Sequence, residues 1–289
     1  MASTDREQPR TGQHAGLFFQ IIEPPSTPCD SPRPDDVPLV LLPGLLADGR
    51  QLSRLCRLLA RLLQRRLCVV DPLGAGRSDA PADAEAYAFP AQSDRLAALL
   101  SALELPVVDV AGFSMGGMWA QHALLGHPDR FRHACLVATT AVTDPRLRSI
   151  VLGLRAQHRA GVNGLDLFRT LQAMFFSAGF LDHPSIIPML EAMWGEHRHA
   201  PAAVEGQLAA LLSHDLRSLL PEVTQVRVVI AGAEDFLMPP LVQTRLSGYC
   251  HQPAPELIPS AGHAIWIECP DLLAEALAAA LNQARPAAR

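Results

Sequence analysis

A serine placed between two glycines is the clearest sign of chemistry in this sequence. Residues 112–116 read Gly-Phe-Ser-Met-Gly, a Gly-x-Ser-x-Gly pattern. The apolar run 107–111 before it predicts a strand, and residues 117–125 after it predict a helix. Five letters alone would fit an ordinary turn, but glycines in this setting leave room for a serine to project from a sharp bend. The pattern therefore predicts that Ser114 is a nucleophile at the positive end of a helix.

A serine hydroxyl is a weak nucleophile and needs a base that is itself oriented by a third group. Of the eleven histidines, His263 directly follows a predicted strand, in a Ser-Ala-Gly-His loop. His127 and His214 lie in or beside predicted helices, where a surface or core role is commoner. His197 and His199 have the spacing of a metal pair, but no cysteine or aspartate is near them. His263 is therefore the predicted base, and no metal site is predicted.

The third group should be a carboxylate. Asp235 comes just after the predicted strand 226–231. Active-site residues of parallel sheets gather at the carboxyl ends of the strands, and both Asp235 and His263 meet this condition. Glu234, its neighbour, and Asp144, which follows the preceding strand, remain alternatives. The ordinary role of such an aspartate would be to cap a turn or a helix.

Apolar strands and helices alternate along the chain and must position these side chains. Strands are predicted at 17–23, 39–42, 67–70, 107–111, 133–139, 226–231 and 255–258, and helices at 50–63, 90–103, 117–125 and 271–283. This alternation predicts an α/β fold with a doubly wound, mostly parallel sheet.

The long stretch 140–225 predicts no strand, but it shows helical patterns near 165–176, 186–194 and 202–212. We therefore predict a helical cap at 141–220. It would be inserted into a core domain formed by residues 17–140 and 221–289. Residues 1–16 are polar and are predicted to be a disordered tail, and the Pro-rich stretch 24–38 is predicted to be a loop.

The composition limits the classes of function. Hydrophobic residues make up 49% of the chain and charged residues 18%, which favours a large folded core. The net charge of −5 without a basic cluster argues against nucleic acid and anionic membranes as partners. The basic residues are all arginine, so a Schiff-base lysine and a Walker-type phosphate lysine are excluded.

Three further expectations follow from the composition. The six cysteines lack Cys-x-x-Cys spacing, so neither zinc nor a disulfide framework is predicted. No segment predicts a signal peptide or a membrane span, and a cytoplasmic protein is expected. No cofactor is predicted, and the sequence leaves the oligomeric state open.

A dinucleotide-binding loop is an alternative interpretation of Gly74-Ala75-Gly76, because these residues follow a predicted strand. The third glycine of the Gly-x-Gly-x-x-Gly fingerprint is missing, since position 79 is aspartate. No helix is predicted to begin there either, so this alternative is disfavoured.

Taken together, the motifs resemble the α/β-hydrolase family, in which nucleophile, acid and base follow in the order Ser…Asp…His. The matching stretches are Leu-Pro-Gly-Leu at 42–45, Asp-Pro-Leu-Gly-Ala-Gly-Arg-Ser at 71–78, the serine elbow at 112–116, the acid segment at 232–235 and Gly-His at 262–263. The resemblance covers about residues 37–285. It implies an α/β-hydrolase fold with an inserted helical cap.

The resemblance also implies roles for single residues. Ser114 would be the nucleophile, His263 the base and then the acid, and Asp235 the carboxylate that orients the imidazole. The backbone N–H groups of Leu45 and Met115 would form the oxyanion hole. Many members of the family have histidine where this chain has Pro43. The Leu45 donor survives this difference, but the geometry of its loop is left open.

The activity implied is hydrolysis of carboxylic esters through an acyl-enzyme, with a small-molecule ester or acyl compound as substrate. Relatives of the same fold that transfer the acyl group to an alcohol, thiol or peroxide are an alternative. Hydrolases of C–C bonds or of enol-lactones are another. A non-enzymatic ligand-binding module is a third. A dehalogenase is disfavoured, because it would resemble the family with aspartate at position 114.

Large apolar residues of the predicted cap and of the sheet domain are the candidates for lining the substrate pocket. They are Trp119, Phe175, Phe176, Met189, Met193, Trp194, Phe236, Leu237, Ile265 and Trp266, with Met174 as a further candidate. Many aromatic residues at helical spacing are ordinary core residues. Those that do line the site would suit an uncharged acyl or alkyl group.

Overall fold

The computed structural model describes residues 10–25, 37–162, 164–195 and 199–282. Within them, eight strands form one sheet in the order β1-β2-β4-β3-β5-β6-β7-β8. The strands are β1 (Arg10–His14), β2 (Leu17–Ile22), β3 (Leu39–Leu42), β4 (Leu67–Val70), β5 (Val108–Phe113), β6 (Phe131–Val137), β7 (Val226–Gly232) and β8 (Glu256–Ile258). The β1–β2 and β2–β4 pairs are antiparallel, and all other pairs are parallel. The prediction of a mostly parallel α/β sheet is confirmed.

Helices connect the parallel strands. The α-helices found in the described ranges are α1 (Ser53–Leu63), α2 (Phe89–Ala102), α3 (Met115–Gly126), α4 (Pro145–Arg159), α5 (Gly164–Phe175), α6 (Ala178–Leu181), α7 (Ile186–Gly195), α8 (Pro201–Ser213), α9 (Pro240–Tyr249), α10 (Ile265–Glu268) and α11 (Pro270–Asn282). Short 3-10 helices lie at Gly49–Leu52, Ala84–Tyr87, Pro128–Arg130 and Leu220–Glu222.

The sheet is covered on both faces, and the short apolar strand β3 shows how. Its side chains point alternately to opposite faces. Leu39 and Leu41 pack in a core cluster with residues of α1 and α11, whereas Val40 and Leu42 pack in a second cluster with residues of α2 and α3. All four are fully buried. A strand that is apolar at every position therefore belongs inside a doubly wound sheet.

Five α-helices, α4 to α8, follow one another between β6 and β7 in the described part of the chain. We call residues 141–220 the helical insertion. The sequence patterns predicted α5, α7 and α8 but missed the four-residue α6 and the longer α4. Its start is marked by Asp144, whose Oδ1 accepts from the N–H of Leu147 at 2.9 Å, followed by Pro145. Four arginines in α4 hid its buried apolar stripe.

The first residues of the chain require a correction. Residues 1–9 of the predicted disordered tail lie outside the described residues, as do residues 26–36 of the predicted loop. The prediction is wrong for Arg10–His14, which pair antiparallel with β2 as an edge strand. An edge strand has one unpaired side and tolerates polar, exposed side chains, so its sequence carries no apolar alternation.

The loop after β4 adopts a turn rather than the start of a helix. Gly74 and Gly76 both have positive φ angles, 79° and 57°. A Cβ at residue 76 would lie 2.1 Å from Oδ2 of Asp71, which shows how closely this loop folds over the carboxylate. The next helical turn begins only at residue 84. This geometry does not place a helix N-terminus behind the loop, as a dinucleotide site requires.

Candidate active site

Ser114 lies in the bend between β5 and α3, and its backbone is strained. Its φ of 53° and ψ of −119° are uncommon for a residue with a Cβ. A Cβ at Gly112 would lie 2.4 Å from the carbonyl oxygen of Gly116, and one at Gly116 would lie 2.0 Å from that of Leu42. Close backbone packing therefore requires both glycines. The hydroxyl of Thr139 donates to the Ser114 carbonyl at 2.8 Å and helps to hold the bend.

A chain of two hydrogen bonds connects the three side chains that the sequence singled out. His263 Nε2 lies 2.9 Å from Ser114 Oγ, and His263 Nδ1 lies 2.9 Å from Asp235 Oδ2. An ionised carboxylate only accepts hydrogen bonds, so Nδ1 carries the proton and Nε2 accepts from the serine hydroxyl. Their exposed fractions are 8%, 2% and 3% for Ser114, His263 and Asp235. The arrangement is largely shielded from solvent.

Asp235 is oriented by two further donors. Its Oδ1 accepts from the backbone N–H of Met238 at 2.7 Å. The side-chain amide of the buried Gln243 lies 3.4 Å from Oδ2 and donates to the Met238 carbonyl at 2.8 Å. Of the two alternative acids, Glu234 is exposed, and Asp144 caps α4. Asp235 is the carboxylate that contacts the imidazole.

The backbone of residues 44–45 passes close to the nucleophile. A Cβ at Gly44 would lie 3.3 Å from Ser114 Cβ and 3.7 Å from its Oγ. The N–H of Leu45 and that of Met115, the first residue of α3, make no backbone hydrogen bond within the described part of the chain. Leu45 and Met115 both line the cavity beside Ser114, which makes their N–H groups candidate donors to a bound substrate.

The loop after β3 is held by a glutamine of the helical insertion. Gln207, fully buried in α8, accepts from the Leu46 N–H through Oε1 at 2.8 Å. Its Nε2 donates to the carbonyl of Leu73 at 2.6 Å. The loop that contains Pro43 is therefore held by a side chain that lies 161 residues further along the sequence than Leu46. Gln207 was not predicted as a partner of this loop, because nothing in the local sequence distinguishes it from other polar residues of a helix.

An apolar cavity opens beside Ser114 and His263. Its volume is about 50 Å³. The candidates from the sequence that line it are Phe175, Phe176, Trp194, Leu237 and Trp266, together with Leu45 and Met115. Further lining residues come from α4, among them Leu147, Val151 and Leu154. Since α4 was not predicted, its contribution to the cavity was missed.

Six of the pocket candidates do not line this cavity, and their prediction as pocket residues is corrected. Met174 is partly buried and packs against the core cluster that contains residues of α2 and α3. Trp119, a residue of α3, is fully buried in the core, and Ile265 is fully buried as well. Met193 packs against the core cluster that contains α11. Met189 and Phe236 are 46% and 61% exposed. The Phe236 ring instead lies under the guanidinium of Arg146, with 4.7 Å between the Arg146 Cζ and the ring centroid.

A larger groove adjoins the cavity on the side of the helical insertion. Its volume is about 910 Å³. Among the residues that the structure describes, four line both spaces: Leu45, Leu171, Phe175 and Trp194. The rest of the groove combines apolar side chains with a polar rim that includes His158, Arg159 and Glu205. The narrow cavity at the serine is therefore separated from a wide groove by only a few side chains.

The other histidines lie elsewhere. His127 Nε2 is 2.9 Å from an oxygen of Asp94. His214 is buried beside His122, with 3.3 Å between their ring nitrogens. Burial lowers the pKa of His122 to about 3 and that of His214 to about 4. His197 lies outside the described residues, and within them no group of three or more His, Cys, Asp or Glu side chains could hold a metal ion.

Comparison with known proteins identifies the family. Residues 37–270 match the model of the alpha/beta hydrolase fold family. Among curated proteins, the chain is 30% identical over 211 residues to the pimeloyl-(acyl-carrier protein) methyl ester esterase of Chromobacterium violaceum, covering 70% of this chain and 77% of the relative. It is 28% identical over 236 residues to the 2-hydroxymuconate semialdehyde hydrolase of a Pseudomonas species, covering 75% and 80%.

Among solved structures, the chain resembles the alpha/beta hydrolase enzyme MGS-M2 from a deep-sea metagenome library of the Medee basin. The TM-score is 0.79 at 20% identity, and the match covers 94% of this chain and 96% of the other. This similarity shows the fold. The family match spans most of the chain and includes Ser114, Asp235 and His263, the three residues connected by hydrogen bonds. The chain belongs to the α/β-hydrolase family.

Proposed function

We propose that this protein is a serine hydrolase that cleaves carboxylic esters through an acyl-enzyme on Ser114. The observation that carries the proposal is the buried chain of hydrogen bonds from Asp235 through His263 to the Ser114 hydroxyl, each 2.9 Å long. Such a chain is the arrangement that makes a serine hydroxyl nucleophilic. The similarity to a methyl ester esterase supports the choice of an ester as the substrate.

In the first step, Ser114 Oγ attacks the ester carbonyl while His263 Nε2 takes its proton. The imidazolium that forms is stabilised by Asp235, which accepts from Nδ1. The same proton then passes from Nε2 to the departing alcohol. In the second step, His263 removes a proton from water, which attacks the acyl-enzyme. The same proton then passes from Nε2 to Ser114 Oγ as the bond to the acyl group breaks and the acid is released. The backbone N–H groups of Leu45 and Met115 donate to the oxyanion in both steps, each worth about 2.7–4 kcal/mol.

The helical insertion acts as a cap in this proposal, between core segments 17–140 and 221–289. Its helices α4, α5, α7 and α8 contribute residues to the cavity at Ser114. The cavity lining is almost entirely apolar, which suits an uncharged acyl or alkyl group. A whole substrate needs more room than the roughly 50 Å³ beside the serine. The remainder of a longer ester would extend past Trp194 and Phe175 into the groove.

A screen of p-nitrophenyl esters of graded acyl length tests the proposal. The wild-type protein should hydrolyse at least one ester of the series. Ser114→Ala should lower that turnover by about 10³-fold or more while leaving the circular dichroism spectrum unchanged. Retained activity in the variant would place the nucleophile elsewhere. Absence of turnover for every ester would favour a ligand-binding module.

The same assay separates hydrolysis from acyl transfer. Adding an alcohol or a thiol as a competing acceptor leaves the yield of free acid largely unchanged if water is the acceptor in the second step. Formation of a new ester or thioester as the main product would instead indicate an acyltransferase. Product analysis by mass spectrometry gives the ratio of free acid to new ester or thioester directly.

A further inference from the structure

We propose that Glu268 is a positioning residue for His263 and that it acts by fixing the histidine loop to the helical insertion. The inference rests on the proposed function, because it concerns the residue assigned there as the base. Glu268 itself does not line the cavity at Ser114. It therefore acts through its contacts with the backbone around His263.

The carboxylate of Glu268 joins two segments that are far apart in the sequence. Its Oε1 accepts from the N–H of Gly262 at 2.9 Å. Its Oε2 accepts from the N–H of Ser177 at 3.1 Å and from the Ser177 hydroxyl at 2.6 Å. Gly262 directly precedes His263, whereas Ser177 caps α6 in the helical insertion. One side chain thus binds the loop of the base and the cap at the same time.

The backbone of His263 is held on both sides by this connection. The N–H of Gly262 donates to Glu268, and the N–H of Ala264 donates to the carbonyl of Phe175 at 2.9 Å. The Phe175 ring also stacks on the imidazole, with ring centroids 5.5 Å apart and an angle of 24° between the planes. The residue before His263 and the residue after it are therefore both held by contacts that lead to residues 175–177. A shift of that segment would displace the imidazole.

The two backbones are in direct contact at this point. A Cβ at Gly262 would lie 2.6 Å from the nitrogen of Ser177 and 2.8 Å from the carbonyl carbon of Phe176. Glycine at 262 therefore lets the cap segment approach the histidine loop. The 2.9 Å contact between His263 and Ser114 needs this placement, since a misplacement of about 1 Å can lower a rate by about 100-fold.

The chemistry of the carboxylate suits this task. Three donors point at its two oxygens, and a carboxylate can accept all of them. An amide of the same size has a single acceptor oxygen, and its NH₂ group would face a backbone N–H on one of the two sides. Glu268→Gln therefore keeps the shape but disrupts one of the two attachments. Burial raises the pKa of Glu268, whereas these three hydrogen bonds oppose the shift.

Asp71→Asn provides a matched control. Asp71 is a buried carboxylate whose pKa, like that of Glu268, is raised by burial, and it accepts from the backbone N–H groups of Gly49 at 2.8 Å and Arg77 at 3.0 Å. It does not line the cavity at Ser114. The two variants thus make the same chemical change in two loops, of which only one carries His263.

The experiment measures kcat and KM for a short p-nitrophenyl ester, together with amide hydrogen exchange of the intact protein. We expect Glu268→Gln to lower kcat by about 10- to 100-fold with KM changed by less than about threefold. In the same variant, amide hydrogen exchange should become faster in both residues 175–181 and residues 262–268. Asp71→Asn should change kcat by less than about threefold and leave exchange in both segments as in the wild type.

Any of three results would overturn the proposal. They are a wild-type kcat in Glu268→Gln, an equal loss of kcat in Asp71→Asn, and faster amide hydrogen exchange in only one of the two segments. If Glu268→Gln does not fold, Ser177→Ala, which removes one of the three donors, takes its place. It should lower kcat and accelerate exchange in both segments, and wild-type values would overturn the proposal. If the wild type shows no Ser114-dependent ester hydrolysis, the proposed function fails, and the exchange data alone decide whether Glu268 joins the two segments.

Discussion

Replacing Asp235 by asparagine removes one acceptor from a position that three donors surround. The carboxylate accepts from Met238 N–H at 2.7 Å, from His263 Nδ1–H at 2.9 Å and, more distantly, from Gln243 at 3.4 Å. Asparagine has one acceptor oxygen. If that oxygen stays with Met238, the amide NH₂ faces the imidazole, and Nδ1 must then become the acceptor.

This exchange of tautomers has a large consequence for the rate. With Nδ1 unprotonated, His263 carries its proton on Nε2, which faces Ser114 Oγ and can no longer take the proton of the hydroxyl. The loss expected from holding a catalytic histidine in the wrong tautomer is about 10⁴-fold in kcat, or about 5 kcal/mol of transition-state stabilisation. KM for a short ester should change little, because Asp235 does not line the cavity.

The assay compares kcat of Asp235→Asn with that of Asp144→Asn and Glu234→Gln on the same p-nitrophenyl ester. These controls make the same change at the other two carboxylates that the sequence allows. Asparagine caps a helix about as well as aspartate, so Asp144→Asn should retain both its fold and its activity. A loss of less than about tenfold in Asp235→Asn, or an equal loss in either control, would refute the reasoning.

Three further predictions concern the elbow, the buried histidines and the cavity wall. Gly116→Ala should abolish soluble expression or ester turnover, because its Cβ would lie 2.0 Å from the Leu42 carbonyl; wild-type turnover would contradict this. The free energy of unfolding, measured by urea titration, should fall as the pH drops from about 6.5 to about 4, by about 3 kcal/mol for His214 alone, because the unfolded state then binds more protons. His122→Phe should flatten this fall, and an unchanged pH dependence would argue against it. Trp194→Ala should raise the ratio of kcat/KM for p-nitrophenyl octanoate over butyrate by about tenfold, since it opens the wall between cavity and groove; an unchanged ratio would separate the groove from the substrate path.

The parts of the fold that the sequence predicted are those with strong local signals. The fully apolar strands Leu39–Leu42 and Leu67–Val70 have the predicted bounds. Residues at the carboxyl ends of such strands must meet at one edge of a parallel sheet, and Ser114, Asp235 and His263 do meet there. For these residues, the position directly after an apolar strand is enough to predict that they lie close together in the fold.

The features that the sequence did not reveal depend on contacts between distant residues. Phe236 and Leu237 are adjacent and equally apolar, yet Leu237 lines the cavity while Phe236 is 61% exposed. Gln207 and Glu268 look like ordinary polar residues of helices. Their partners lie 161 and 91 residues away, at Leu46 and Ser177, so only the folded chain shows what they hold.

Stoichiometric labelling with a fluorophosphonate tests the central claim most directly, because the reagent reacts with an activated serine. The protein is titrated with the reagent while ester hydrolysis and intact mass are followed, and the modified peptide is then identified. We predict one phosphonyl group per chain, on Ser114, with activity falling in proportion to the label. Full activity in fully labelled protein, or a label on any other residue that accounts for the inactivation, would contradict the assignment of Ser114 as the nucleophile.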